Sequence, residues 1–161
     1  MPTRKHKALI DAVQEAAEQP LKQDHLLSLV GYNCRRAYLT IVPLFEQRMA
    51  QYNLKPAEFS VLSLLKANPN ITQKRLSAAV NVSPPNLAIM LDKLEARGLV
   101  LRQRNPLDKR SQTLILTEQG TALCTQSEQT TGELEAEATA MLSEQERAQL
   151  LGLLQKIFVR E

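Results

Sequence analysis

The chain has 161 residues, 43% of them hydrophobic, and a formal net charge of +3, a length that fits one domain or one compact domain with a helical extension. No apolar run approaches the roughly 18 residues needed to span a bilayer, and the basic opening MPTRKHKALIDAV is too short in apolar residues for a signal peptide, so a cytoplasmic location is expected. Cys34 and Cys124 are far apart and lack CxxC spacing, which speaks against a structural disulfide, and five glycines leave no Gly-rich phosphate loop.

Residues 1 to 23 are polar, end near Pro20, and read as a helical or partly disordered arm. From Asp24 to Tyr52, the residues Leu26, Leu27, Val30, Ala37, Tyr38, Ile41, Phe45 and Met49 recur at three- and four-residue steps. That spacing predicts one long helix with a buried stripe. Pro43 should kink it by removing a backbone donor. The stripe is wide for a surface helix, so part of it is expected to meet a partner chain. Pro56 suits the first turn of the next helix, which runs through Phe59, Val61, Leu62, Leu64 and Leu65 to Lys66. Asn68-Pro69-Asn70 stops it.

Thr72 is an N-cap for a short helix to about Val80, with Leu76 and Ala79 facing inward. After the turn at Asn81-Val82, Ser83 caps another helix and Pro84 takes its first position. Leu87, Leu91 and Leu94 share one side of that helix, and Gly98 suits its C-terminal stop. Leu99 to Arg104 then predicts a strand, Asn105-Pro106-Leu107-Asp108 a turn, and Ser111 to Leu116 a returning strand. Thr117 caps a polar helix that continues to about Leu142. Ser143 and Glu146 form a capping box before a strongly apolar last helix carrying Leu150, Leu151, Leu153, Leu154, Ile157 and Phe158. Such a helix should not remain alone in water, and with the first long helix it is read as a dimer interface.

The charge is unevenly placed. Residues 71 to 117 hold eight Lys/Arg against Asp92, Glu95 and Asp108, a net of +5; residues 118 to 161 hold three Lys/Arg against eight Glu, a net of −5. A basic middle beside an acidic tail gives one face for polyanions. Helix, turn, helix and basic hairpin in that order are what a winged helix-turn-helix needs to grip duplex DNA. The start of the second helix faces base edges in such a motif, so Ser83, Pro84, Pro85, Asn86, Ala88 and Ile89 form the expected reading surface. Asn86 can bond an adenine edge bidentately, while Ala88 and Ile89 can touch thymine methyls. Backbone N–H groups at the helix start are expected to face phosphate. Thr72, Lys74 and Arg75 are candidate contacts on the preceding helix; a solvated helix face explains the two cations equally well. On the wing, Arg102, Arg104, Lys109, Arg110 and Ser111 are expected to clasp phosphate or enter a minor groove. Asp108 is expected to orient Arg110, or to serve simply as a turn residue.

The run LSAAVNVSPPNLAIMLDKLEARGLVLR, followed by DKRSQTLILTEQG, resembles the MarR family of bacterial regulators. The resemblance spans about Leu54 to Gly120. It implies a mainly α fold with a small β-hairpin wing, flanked by N- and C-terminal helical regions used for dimerisation. The implied division is 1–53, 54–117 and 118–161. It further implies a homodimeric repressor on a pseudo-palindromic double-stranded DNA operator, often released by a small molecule such as an aromatic acid, phenol or acyl-thioester. Many members have Thr where this chain has Ala88 and a polar residue where it has Ile89, so base reading is expected to lean on Asn86, apolar contact and the wing.

Tyr32, Arg35, Arg36, Tyr38, Phe45 and Phe59 are candidate lining for an effector pocket, because family ligands are often aromatic carboxylates or phenols; core packing and interface salt bridges are the alternative. Some relatives sense oxidants through a cysteine in the first helix. Arg35 and Arg36 beside Cys34 fit that reading, but a buried, inert thiol is preferred. His6 and His25 belong to no group with ligand spacing, so neither metal nor cofactor is expected. No catalytic set can be assembled. A non-specific winged-helix DNA or protein interaction module is the remaining alternative.

Overall fold

The computed structural model describes residues 4–105 and 111–159. It forms two compact units, one within Met1–Tyr38 and one within Leu39–Glu161.

In the first unit, α1 (Arg4–Glu18) supplies a helical arm, followed by the single turn α2 (Asp24–Leu27). The one long helix expected from Asp24 is interrupted. Ser28 Oγ donates to the His25 carbonyl at 2.8 Å, and Asn33 Nδ2 donates to the Leu27 and Leu29 carbonyls, both at 2.8 Å. These short polar side chains bond carbonyls at the break, the Leu29 carbonyl also accepting the Asn33 N–H at 3.1 Å, and the helix restarts as α3 (Val30–Met49), whose residues from Leu39 belong to the second unit. Pro43 lies within α3 without ending it. The expected stripe is buried only at Phe45 and Met49; Leu26, Leu27, Val30 and Tyr38 are exposed.

The second unit carries the core. A 3-10 turn (Ala50–Tyr52) leads through left-handed Asn53 to α4 (Pro56–Ala67), which has Pro56 in its first turn and the Glu58 carboxylate accepting from the Lys55 N–H at 2.9 Å. Val61, Leu62 and Leu65 of α4 are buried together with Leu76, Leu87, Leu91, Leu94, Leu99, Val100 and Leu114. Each fully buried leucine contributes about 1.5–3 kcal/mol relative to exposure. The apolar spacing chosen by the sequence is therefore what closes α4, α5 (Gln73–Val80) and α6 (Pro84–Ala96) on one another. A two-residue strand β1 (Ile71–Thr72), which the sequence pattern did not predict, pairs antiparallel with β3 (Gln112–Leu116); β3 also pairs with β2 (Val100–Arg104), in the order β1-β3-β2. The fold is mainly helical with a small β wing, as the sequence indicates.

Thr117 closes the wing onto α7 (Glu118–Ala138): its hydroxyl accepts from the Gly120 N–H and donates to the Gly98 carbonyl, at 2.8 and 2.7 Å. Helix α8 (Glu144–Phe158) begins with the expected Ser143–Glu146 box, and none of its residues is buried. No described helix is long and apolar enough to cross a membrane.

Candidate nucleic-acid interface

The helix-turn-helix is built by α5, a three-residue turn and α6. Thr72 caps α5 by accepting from the Arg75 N–H at 3.4 Å, so this hydroxyl already has a structural task. Leu76 is buried as expected, but Ala79 is exposed and Ser77 takes the inward place. Ser77 Oγ donates to the Val82 carbonyl at 2.6 Å and Val82 N–H returns to the Ser77 carbonyl at 3.2 Å, with Asn81 left-handed at φ 52° between them. That closed turn fixes where α6 leaves.

At the start of α6, Ser83, Pro84, Pro85, Asn86 and Ile89 are exposed, and Ala88 is half-buried. Two expectations need correction here. Ser83 occupies the N-cap position with an extended backbone, and its carbonyl accepts from the Leu87 N–H at 2.9 Å, but its side chain makes no cap hydrogen bond. Prolines at the first two helical positions lack N–H groups, so the anion-attracting donors expected at this helix start are reduced, in that first turn, to Asn86 N–H. The outer side of α6 also borders an open groove of about 280 Å³ lined by Lys55, Ala57, Glu58, Asn86, Ile89, Met90 and Lys93. Lys55 and Lys93 were not among the expected contacts. The signal that could have found Lys93 is its spacing, four residues beyond Ile89 on one helical face.

The basic residues divide into two groups. Lys74, Arg75, Lys93 and Arg104 are exposed. Arg97 is engaged internally, forking to the Tyr52 and Asn53 carbonyls, both at 2.8 Å. Arg102 is also engaged, contrary to its expected place among outward-facing wing cations. Its guanidinium lies on α6, against Glu95 and, at 2.6 Å, Asp92 Oδ1, and its side chain is only 18% exposed. Ser111 pairs with Asn105 across the hairpin, accepting from Asn105 Nδ2 at 2.8 Å. Asp108, Lys109 and Arg110 lie outside the described residues.

The remaining candidates fall in both units. Tyr32 donates to Gln23 Oε1 at 3.0 Å, and Arg35, Arg36, Tyr38 and Cys34 are exposed in the first unit. Exposure of Cys34 departs from the expected buried thiol. In the second unit, the Phe45 and Phe59 rings meet edge to face at 5.9 Å. Cys124 is buried, and its thiol is pushed up to about 12, first by burial and then by the negative charge of Glu128. No group of three or more His, Cys, Asp or Glu placed to hold a metal occurs among the described residues.

This arrangement has known counterparts. The multiple antibiotic resistance protein MarR of Escherichia coli (strain K12) is 35% identical over 115 residues, covering 71% of this chain and 80% of its own length. The chain belongs to the MarR family. The family model, described as MarR family, matches residues 54–112, the stretch from Leu54 to the start of β3. Among solved structures, the transcriptional repressor CouR bound to a 23-mer DNA duplex is 38% identical with a TM-score of 0.81, over 86% of this chain and 99% of that one. CouR bound to p-coumaroyl-CoA is 36% identical with a TM-score of 0.75, over 86% and 97% of the two chains. MarR-family proteins are regulatory DNA-binding proteins rather than enzymes, and this chain is one of their transcriptional regulators.

Proposed function

We propose that this MarR-family chain is a repressor that docks as a homodimer on a pseudo-palindromic duplex operator and leaves it when a small aromatic or amphipathic effector binds. The observation that carries the reading is the exposed first turn of α6, with Asn86 and Ile89 outward, beside a wing strand ending in exposed Arg104, on the fold of a repressor solved on duplex DNA. Asn86 is the base-edge reader and Ile89 the apolar contact; Lys74, Arg75, Lys93 and Arg104 bind phosphate. Exposed Leu150, Leu151, Leu153, Ile157 and Phe158 on α8 support the helices outside the winged helix-turn-helix as the dimer interface. Two recognition helices must then reach major grooves about 34 Å apart, so an effector needs only to change their spacing to break the fit.

The effector class is proposed by analogy with CouR, the 36% identical relative solved with p-coumaroyl-CoA, an aromatic acyl-thioester. Titrating aromatic acids, phenols and their acyl-thioesters into a preformed protein–operator complex tests this. Release by one class at concentrations that also raise the melting temperature is the expected result. Release by none, with operator binding intact, would remove the effector part of the proposal.

A further inference from the structure

Among the described cations of the winged helix-turn-helix, Arg102 makes the most hydrogen bonds. It sits on β2, paired in register with Leu114, yet its guanidinium reaches across to α6. Nη1 donates to Glu95 Oε2, and Nη2 donates to Asp92 Oδ1 at 2.6 Å and to the Ala88 carbonyl at 3.5 Å. Glu95 Oε1 also accepts the Arg102 backbone N–H at 3.3 Å, so this one carboxylate holds both strand and side chain. Ala88, Asp92 and Glu95 stand four and three residues apart and therefore form one stripe along the helix. The planar guanidinium fork suits this set of acceptors, which a lysine point charge cannot span. Isolated exposed ion pairs contribute little; here the guanidinium itself is shielded and Glu95 holds both it and the strand N–H, while Asp92 stays largely in solvent and adds less.

Accepting that the winged unit binds duplex DNA, we infer that Arg102 is a positioning residue, not a phosphate contact: it locks the wing strand to the recognition helix and thereby sets operator selectivity. Two carboxylates on a helix that faces DNA repel phosphate. Arg102 offsets part of that charge and converts the pair into a strut between the two elements that must enter neighbouring grooves together. Rigid placement of both elements matters for a specific site and hardly at all for non-specific backbone binding.

The test compares wild type, Arg102→Lys, Glu95→Gln and Arg104→Ala on operator and scrambled duplexes across a salt series. Arg102→Lys should lose about tenfold or more on operator, because lysine keeps the charge but not the fork. Its scrambled-duplex affinity and its salt slope should remain those of wild type, which also shows that the variant is folded. Glu95→Gln removes a negative charge near DNA, which by electrostatics alone strengthens binding, yet it should lower the operator-to-scrambled ratio. Arg104→Ala should instead weaken both duplexes and reduce the salt slope by about 1, the signature of a lost phosphate contact. The inference is overturned if Arg102→Lys retains operator affinity, or if Glu95→Gln raises affinity for both duplexes alike. Wild type that binds no duplex removes the DNA reading and this inference together; wild type that selects operator while Arg102→Lys matches it removes this inference alone.

Discussion

Asn86 stands on the exposed first turn of α6, the one position there that combines a base-reading side chain with a backbone N–H. Asn86→Ala should weaken operator binding by about 1–3 kcal/mol and relax the preference at one base pair; anisotropy titration on single-base operator variants checks both. Cys124 and its neighbours make a different kind of prediction. Glu128 accepts from Ser63 Oγ at 2.8 Å, from Lys66 Nζ at 2.6 Å and from the Cys124 thiol at 3.6 Å, so four polar groups join α4 to α7. Glu128 is held below the usual carboxylate value of 4.5, chiefly by the hydrogen bond from Lys66 and against the opposing effect of burial. Lys66 is raised above 10.5, chiefly by the same hydrogen bond. The carboxylate's contribution is thus complete above the ordinary glutamate value and disappears as pH falls through its lowered one; the ammonium's is complete below 10.5 and fades as pH rises past it. Melting temperature measured from about pH 6 to about pH 3 should therefore fall less steeply in Glu128→Gln than in wild type; equal slopes would contradict the coupling. Buried Cys124 should resist alkylation until the protein unfolds, whereas exposed Cys34 should react first. Mass spectrometry of the native protein after brief iodoacetamide treatment separates the two. Of these residues the sequence placed Asn86 at an exposed helix start, because helix position is a local property. Arg102 and the Glu128 cluster were not readable, since their partners come from other elements.

Elements with local signals are where sequence reading succeeds. Pro56, Pro84, Thr117 and the Ser143–Glu146 pair each begin a helix where expected, and Gly98, at φ 68°, ends α6. Their physics lies within a few residues of chain. Strand β1 has only two residues and no room for an alternating pattern; it exists because Ile71 and Thr72 lie beside Leu114 and Thr113. Likewise, the break before α3 is accompanied by side-chain bonds from Ser28 and Asn33 to nearby carbonyls, which apolar spacing does not reveal. Ser77 displaces Ala79 from the interior because the turn needs its hydroxyl. Gly120 shows how closely the wing root and α7 pack: a Cβ there would stand 2.0 Å from the Leu99 carbonyl oxygen. Backbone cannot yield cheaply, so Gly120→Ala should cost about 1–3 kcal/mol, and more if the wing root shifts. A denaturant midpoint unchanged from wild type would show that α7 can move away without loss.

On the scale of the whole molecule, the second unit has its own core, whereas its last helix α8 and much of the first unit present apolar side chains to solvent in the isolated chain. The spacing that suggested an inward stripe on the first long helix carried no information about which protein surface covers it. A second copy is the proposed cover, and light scattering should give twice the 18.1 kDa chain mass. The −5 charge of residues 118–161 then keeps the helical body off the polyanion that the +5 segment attracts. The measurement that bears most directly on this account is the affinity of the intact protein for a duplex from its own upstream region against a scrambled duplex of equal length and salt. The account predicts at least about a thousandfold preference for the former, with one dimer bound per site. Equal affinities for the two duplexes would contradict it.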